Sequence, residues 1–451
     1  MSTRTAVARA LAAGTFLVAA GCASADVASE AASGATSGIT SEDGRPAPLS
    51  WRGYERFPSL YFAAEPSGPF SAEQLRRIAR FELAIIEFRM GQFADEFDGG
   101  RWAGGDLQGL MNAQVERIKA VAGPDMPVLT YLNAKWAGTM FAHQRRILAD
   151  QDLFLPDPRH CEGFIEYPLD VGETGLTSPL DRCRWDFRRA DTRAAFVEMV
   201  ERAAAGPADG IFLDNGHSVA CDGEGELSRL SSAERESFMR GQHVAYREAF
   251  TTLRRLGRRP VLSTTVGFAR YGAQVPFEDA CPLPEEDLLA ELDGVPFTRN
   301  NEFWMWNLGE LASTQMLNTL EESRRGVPII VHVPYFPEDD GCLEGCFGVD
   351  GQRVRFTEQE FLEFTAAAFL VVMSPGSYFG FSDMQAEPEG GGWFDESWDF
   401  HPLYDAIVTG APVGPVRVSE DGMRFARTFE RGMVTVDVGR GTAELDLSGD
   451  P

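Results

Sequence analysis

The sequence contains only two lysines, Lys119 and Lys135, and its 41 basic residues face 68 acidic ones, for a formal net charge of -27 at pH 7. So strong an excess of negative charge is repelled by phosphate backbones and by anionic lipid headgroups, which excludes nucleic-acid binding and electrostatic docking on membranes. Long apolar runs are also missing: no segment reaches the roughly 18 apolar residues that a spanning helix needs. No Gly-x-Gly-x-x-Gly follows the first strand-like run, and no P-loop occurs, so the common dinucleotide and nucleoside-triphosphate cradles are absent. No Gly-x-Ser-x-Gly elbow is present to support a serine nucleophile. Lysine scarcity leaves Lys135 alone near a strand end, which argues against Schiff-base chemistry. No Cys-x-x-Cys occurs, and the six histidines are scattered without ligand spacing, so no zinc centre is expected. The expectation is a protein with neither metal nor organic cofactor.

What is present is ordinary globular material. The chain has 451 residues, 44% of them apolar and 11% aromatic, enough for one large domain with an appendage or for two domains. Residues 1–21 read as an export signal, with Arg4 and Arg9 before the apolar run Ala10 to Ala20. The run ends Val18-Ala19-Ala20-Gly21-Cys22, which resembles the bacterial lipoprotein signal and makes Cys22 the expected lipidation site. Cleavage as an ordinary signal peptide near Cys22-Ala23-Ser24-Ala25 is the alternative. Residues 22–50 are rich in Ala, Ser, Gly and Thr and read as a flexible tether. An exported protein, anchored through lipid or else secreted, follows from this reading. Cysteine use agrees, because beyond Cys22 there are six: Cys161, Cys183, Cys221, Cys281, Cys342 and Cys346. Pairing by proximity gives Cys161–Cys183, Cys221–Cys281 and Cys342–Cys346 as disulfide candidates.

From residue 58 onward, short apolar runs alternate with helical patterns. The runs are Ser59 to Ala64, Leu83 to Phe88, Pro127 to Leu132, Gly210 to Asn215, Pro260 to Thr265, Leu292 to Phe297, Pro328 to Val333 and Ser377 to Phe381. Parallel strands covered on both faces have this near-continuous apolar character. Helices are predicted over 71–80, 107–121, 191–205, 231–256, 309–325 and 357–372, the first opened by the capping pattern Ser71-Ala72-Glu73-Gln74. Eight such units predict an α/β fold: a (β/α)8 TIM barrel with loop insertions over residues 51–410, in preference to a doubly wound sheet. Residues 411–451 change to alternating runs joined by Gly, which predicts a small C-terminal antiparallel β element.

A barrel of this kind carries its site at the C-terminal ends of the strands. Those positions offer Glu87 and Arg89 at the end of the second run, Asn133 and Trp136 after the third, and Asp214, Asn215 and His217 at the end of the fourth. The sixth run is followed by Arg299, Asn300, Asn301, Glu302, Trp304 and Trp306. The seventh run carries His332 and is followed by Tyr335, and the eighth carries Tyr378 and is followed by Asp383. Two carboxylates flanking a bond suit glycoside hydrolysis, one protonating the leaving oxygen and the other attacking or activating water. Aromatic rings offer platforms for sugar faces, and amides, Arg and His can bind hydroxyls. Asp214 stands out because a charge directly follows the apolar strand Gly210-Ile211-Phe212-Leu213. Glu302 follows in a segment that mixes polar groups with large aromatics.

The segments Asp209–Asn215, DGIFLDN, and Ala84–Phe88, AIIEF, come in order with Gly376–Ser382, GSYFGFS, and Arg427–Val438, RTFERGMVTVDV. Together they resemble a group of bacterial glycoside-hydrolase-like barrel proteins with a small C-terminal β element. The chain is similar in another respect to retaining barrel enzymes of the α-galactosidase and α-glucosidase type, whose nucleophile Asp ends strand four and whose acid carboxylate follows strand six. That resemblance implies Asp214 as nucleophile or base and Glu302 as general acid, acting on a carbohydrate outside the cytoplasm. A glycan-binding surface lipoprotein without catalysis is the second reading, and a hydrolase using a metal held by acids at the mouth the third. Sugar, linkage, stereochemistry and oligomeric state stay open.

Overall fold

The computed structural model describes residues 51, 53–63, 69–87, 97–98, 101–102, 107–138, 144, 147, 150–155, 182–216, 230–263, 292, 295–301, 305, 308–337, 341–342, 346–384 and 396–447. Among them, eight parallel strands follow chain order around one sheet: β1 (Leu60–Ala63), β2 (Leu83–Ile86), β3 (Val128–Asn133), β4 (Gly210–Asp214), β5 (Arg259–Ser263), β6 (Thr298–Asn301), β7 (Ile329–Tyr335) and β8 (Tyr378–Met384). The Ser59–Phe379 bridge is also parallel and joins the start of β1 to β8, closing the ring. A short antiparallel strand, Glu396–Ser397, then adds to the end of β8. The fold is a (β/α)8 barrel.

Helices cover the outside: α1 (Ala72–Ile78), α2 (Leu107–Ala122), α3 (Ala190–Ala203), α4 (Ser232–Arg255), α5 (Gly309–Arg324), α6 (Glu358–Val372) and α7 (Pro402–Ala406). The α1 N-terminus closes as its sequence predicts: Ser71 accepts from the Gln74 backbone while the Gln74 side chain accepts from the Ser71 backbone. The same reciprocal cap starts α4 at Ser231 and Glu234, and α6 at Thr357 and Glu360. Helix α6 is buried along nearly its whole length, because the C-terminal sheet covers the face that the barrel leaves open.

Strand six differs from expectation. The run Leu292 to Phe297 lies before the strand, and β6 itself is the polar stretch Thr298–Asn301, buried at all four residues. Three of these side chains find partners on neighbouring elements. Arg299 pairs with Glu322 of α5, Asn300 donates to Ser263 of β5, and Asn301 to Thr319 of α5.

Side-chain alternation separates the lumen from the helical layer. Phe62 of β1 meets Phe212 of β4 at 5.1 Å between ring centroids. These strands are not sheet neighbours, so the contact crosses the lumen. By register the inner set includes Leu129, Tyr131 and Asn133 of β3 with Phe212 and Asp214 of β4.

The C-terminal element is a four-stranded antiparallel sheet, β9 (Arg417–Val418), β10 (Arg424–Phe429), β11 (Gly432–Asp437) and β12 (Thr442–Asp446). Gly432 is required where it stands, since a Cβ there would lie 1.8 Å from the Asp446 carbonyl oxygen. Phe425, Phe429, Val434 and Val436 bury the inner face of the sheet. Arg427 of β10 donates through Nη1 to the carbonyl oxygens of Leu370 (3.3 Å), Val371 (3.1 Å) and Met373 (2.6 Å), the free acceptors at the end of α6.

Cys342 and Cys346 form a disulfide in the loop after β7, with Cα atoms 5.0 Å apart. Cys183 is buried, and its expected partner Cys161 lies outside the described residues, as do Cys221, Cys281 and Cys22.

Candidate active site

The C-terminal end of β4 delivers Asp214 half-buried at the barrel mouth. Three donors hold its carboxylate. The Tyr131 hydroxyl donates to Oδ2 at 2.7 Å, the Asn215 amide to the same oxygen at 2.6 Å, and the Asn215 backbone N–H to Oδ1 at 2.6 Å. Behind Tyr131 stands Asn133, whose Nδ2 donates to the Tyr131 hydroxyl oxygen at 2.9 Å. Asn133 is itself fixed, since its Oδ1 accepts the backbone N–H groups of Lys135 (2.9 Å) and Trp136 (3.0 Å). Burial first, and then the Asp214 charge, push the Tyr131 hydroxyl well above the usual phenol range, so it remains a donor. Glu87, the buried first residue beyond β2, adds to the same effect on Tyr131.

The backbone is unusual at this mouth. Among the described residues the non-glycine positions at positive φ are Asn215, at 55°, and Met305, at 60°. One follows β4 directly. The other lies in the segment after β6, is fully buried, and donates its N–H to the Gln315 side chain at 3.0 Å. Asn tolerates the left-handed region; for Met it costs of order 1–3 kcal/mol, a strain that gathers at functional sites.

The residues expected at the site separate into four groups. Asp214, Asn215, Asn133 and Trp136 lie together at the ends of β3 and β4, and Glu87 joins them through Tyr131. The Trp136 ring is part-buried, with the Arg184 guanidinium 5.1 Å and the Lys135 ammonium 5.3 Å from its centroid. His332 of β7 also faces the lumen. It lies 4.8 Å from the Trp398 ring and 6.2 Å from Phe62, with Nε2 2.8 Å from the Ser382 hydroxyl, and burial lowers its pKa to about 3.

Tyr335 and Asp383, partners across β7 and β8, belong to the outer face instead. Tyr335 packs on Phe361 of α6 and donates to the Phe356 carbonyl at 3.3 Å. Asp383 alternates with the lumenal Ser382, and its carboxyl is raised first by burial and then by Glu358 of α6 and Asp399. Tyr378 opens β8, at the opposite end of the barrel from the mouth, near Arg259, which opens β5. Arg89, His217, Glu302 and Trp304 lie outside the described residues.

Sequence reasoning passed over Tyr131. The signal was available in the alternation Leu129, Tyr131, Asn133, which puts a hydroxyl one step below Asn133, the register partner of Asp214. No group of three or more His, Cys, Asp or Glu stands ready to hold a metal among the described residues. No described helix is long and apolar enough to cross a membrane.

No protein-family model matches the chain, and no curated protein matches it. It is similar to several solved structures at low identity. The glycoside hydrolase domain of PelA from Pseudomonas aeruginosa is 12% identical over 72% of this chain and 93% of that one, with a TM-score of 0.38. Trehalose-6-phosphate hydrolase from Bacillus licheniformis is 14% identical over 73% and 64%, with a TM-score of 0.41. An alpha-amylase from Anoxybacillus is 11% identical over 85% and 86%, also at 0.41. The barrel assignment rests on strand order and register, not on these likenesses.

Proposed function

We propose that this chain is an exported glycoside hydrolase, lipid-anchored through Cys22, that cleaves a glycosidic bond in a poly- or oligosaccharide. Asp214 acts as nucleophile or as the base that activates water, and Glu302, the next residue after β6, is the general acid. The observation that carries the reading is the Asp214 carboxylate, held by three donors at a barrel mouth. Such fixation suits a group that must meet an anomeric carbon in one orientation. The positive φ values after β4 and β6 add support, because they fall in the segments that carry the two acids. Glu302 must be protonated when it acts as the general acid.

The test is turnover of a panel of poly- and oligosaccharides by Asp214→Asn and Glu302→Gln. A loss of roughly a thousandfold or more in kcat is expected from each, on the scale of removing one member of a catalytic pair. Wild-type rates in both variants sink the assignment. Glycan binding by a wild type that turns over nothing supports the non-catalytic reading instead. Anchoring is tested separately: Cys22→Ala moves the protein from the membrane fraction to the soluble one.

A further inference from the structure

Asn133 has the residue type of a sugar contact, yet both ends of its amide are occupied. Its Oδ1 accepts two backbone N–H groups, from Lys135 and Trp136. That fixes which way the amide lies, because the reversed rotamer would bring NH2 against two donors. The Nδ2 group therefore faces the Tyr131 oxygen, 2.9 Å away. An oxygen that receives this donor turns its own hydrogen elsewhere, and the Asp214 Oδ2 atom lies 2.7 Å off. Tyr131 is 4% exposed, which leaves little water to compete for either contact.

The same geometry distinguishes the two oxygens of Asp214. A carboxylate oxygen has about two lone-pair sites. Among the described residues, Oδ2 receives the Tyr131 hydroxyl and the Asn215 amide, whereas Oδ1 receives the Asn215 backbone N–H alone.

We propose that Asn133 and Tyr131 form a directional hydrogen-bond relay that holds the Asp214 carboxylate by Oδ2 and offers Oδ1 as the reacting atom. This rests on Asp214 being the reacting carboxylate. Both are positioning residues: Tyr131 acts on Asp214, and Asn133 acts only through Tyr131. The relay starts from backbone N–H groups in the loop after β3, so no long flexible side chain enters it.

The test is a double-substitution cycle on the full chain: Tyr131→Phe, Asn133→Ala and both together. The substrates are 2,4-dinitrophenyl glycosides, whose leaving group needs no protonation, so the bond-breaking step needs no proton from Glu302. Each single variant is expected to lose roughly tenfold or more in kcat, with KM within about twofold, as removal of one preorganised donor does. The pair is expected to be no slower than Tyr131→Phe alone, since Asn133 acts through Tyr131. Additive losses overturn the relay. So does a rise in KM alone for Asn133→Ala, which would make it a substrate contact.

A second readout needs no turnover. The Tyr131 hydroxyl proton, identified by NMR through its absence in Tyr131→Phe, is expected in slow exchange in the wild type and in fast exchange in Asn133→Ala. Equal exchange in the two overturns the relay. Full activity in Asp214→Asn defeats the underlying assignment of Asp214, whereas an inactive Asp214→Asn beside a wild-type-like Tyr131→Phe defeats the relay alone.

Discussion

Asn215 and Met305 share a backbone conformation that no other described non-glycine residue adopts, and they stand after β4 and β6 respectively. Neither conformation is required to end a strand. At Asn215 it serves an evident purpose: it folds the residue back so that its N–H and its side-chain amide reach both oxygens of the preceding Asp214.

Replacing Asn215 with Gly separates that purpose from stability. Glycine adopts φ near 55° without a Cβ penalty, which offsets most of its greater unfolded-state entropy. Thermal unfolding should shift by no more than about 1 kcal/mol, while kcat on the best glycoside falls roughly tenfold or more as the Oδ2 donor is lost. A variant with full activity, or one that is broadly unfolded, contradicts this.

Arg427 makes a second prediction, this time about cohesion. Its guanidinium closes the last carbonyls of α6 from the C-terminal sheet and sits 5.4 Å over the Phe429 ring. Burial lowers its pKa, against a smaller raising effect of Tyr54. Arg427→Ala orphans three acceptors and removes a cation from a helix C-terminus, a loss of about 2–4 kcal/mol. Denaturant titration should show that loss as a lower midpoint. Lys in its place keeps the charge but not the planar fork, so it should fall between.

His332 predicts a pH dependence. Its folded pKa is about 3 because it is buried, below an unfolded value of about 6.5. Between those values the unfolded chain binds a proton that the folded one does not. Stability from this residue is therefore complete above about pH 6.5 and falls as pH drops toward 3, at up to about 1.4 kcal/mol per pH unit. Denaturation midpoints compared at pH 4 and pH 7 should fall less steeply for His332→Gln than for the wild type. Parallel slopes in the two proteins refute the assignment.

How far the sequence was readable depends on what marks each element. β4 and β7 are continuous apolar runs, and both emerge where the runs are. β6 is Thr-Arg-Asn-Asn, polar on both faces. No pattern reveals it, because Arg299 and Asn301 are paid for by partners on α5 far along the chain. Tyr335 and Asp383 look like mouth residues by position, but whether a residue of an apolar strand faces lumen or helix depends on register, which neighbouring strands decide. Asp214 was legible because a charge ends an apolar strand. Its partner Tyr131 was not, since a tyrosine within such a run reads as packing.

The ring closure at Ser59 and Phe379 joins opposite ends of the barrel sequence, and Trp51 reinforces it by donating to the Ser377 carbonyl, 326 residues away. A chain that emerges from its N-terminus can assemble β1 to β7 only as an open, curved sheet with two exposed edges. The edge of β1 waits for a partner that arrives last. Completion of this fold is therefore deferred until almost the whole polypeptide is in one place, which makes early folding of the N-terminal part self-limiting.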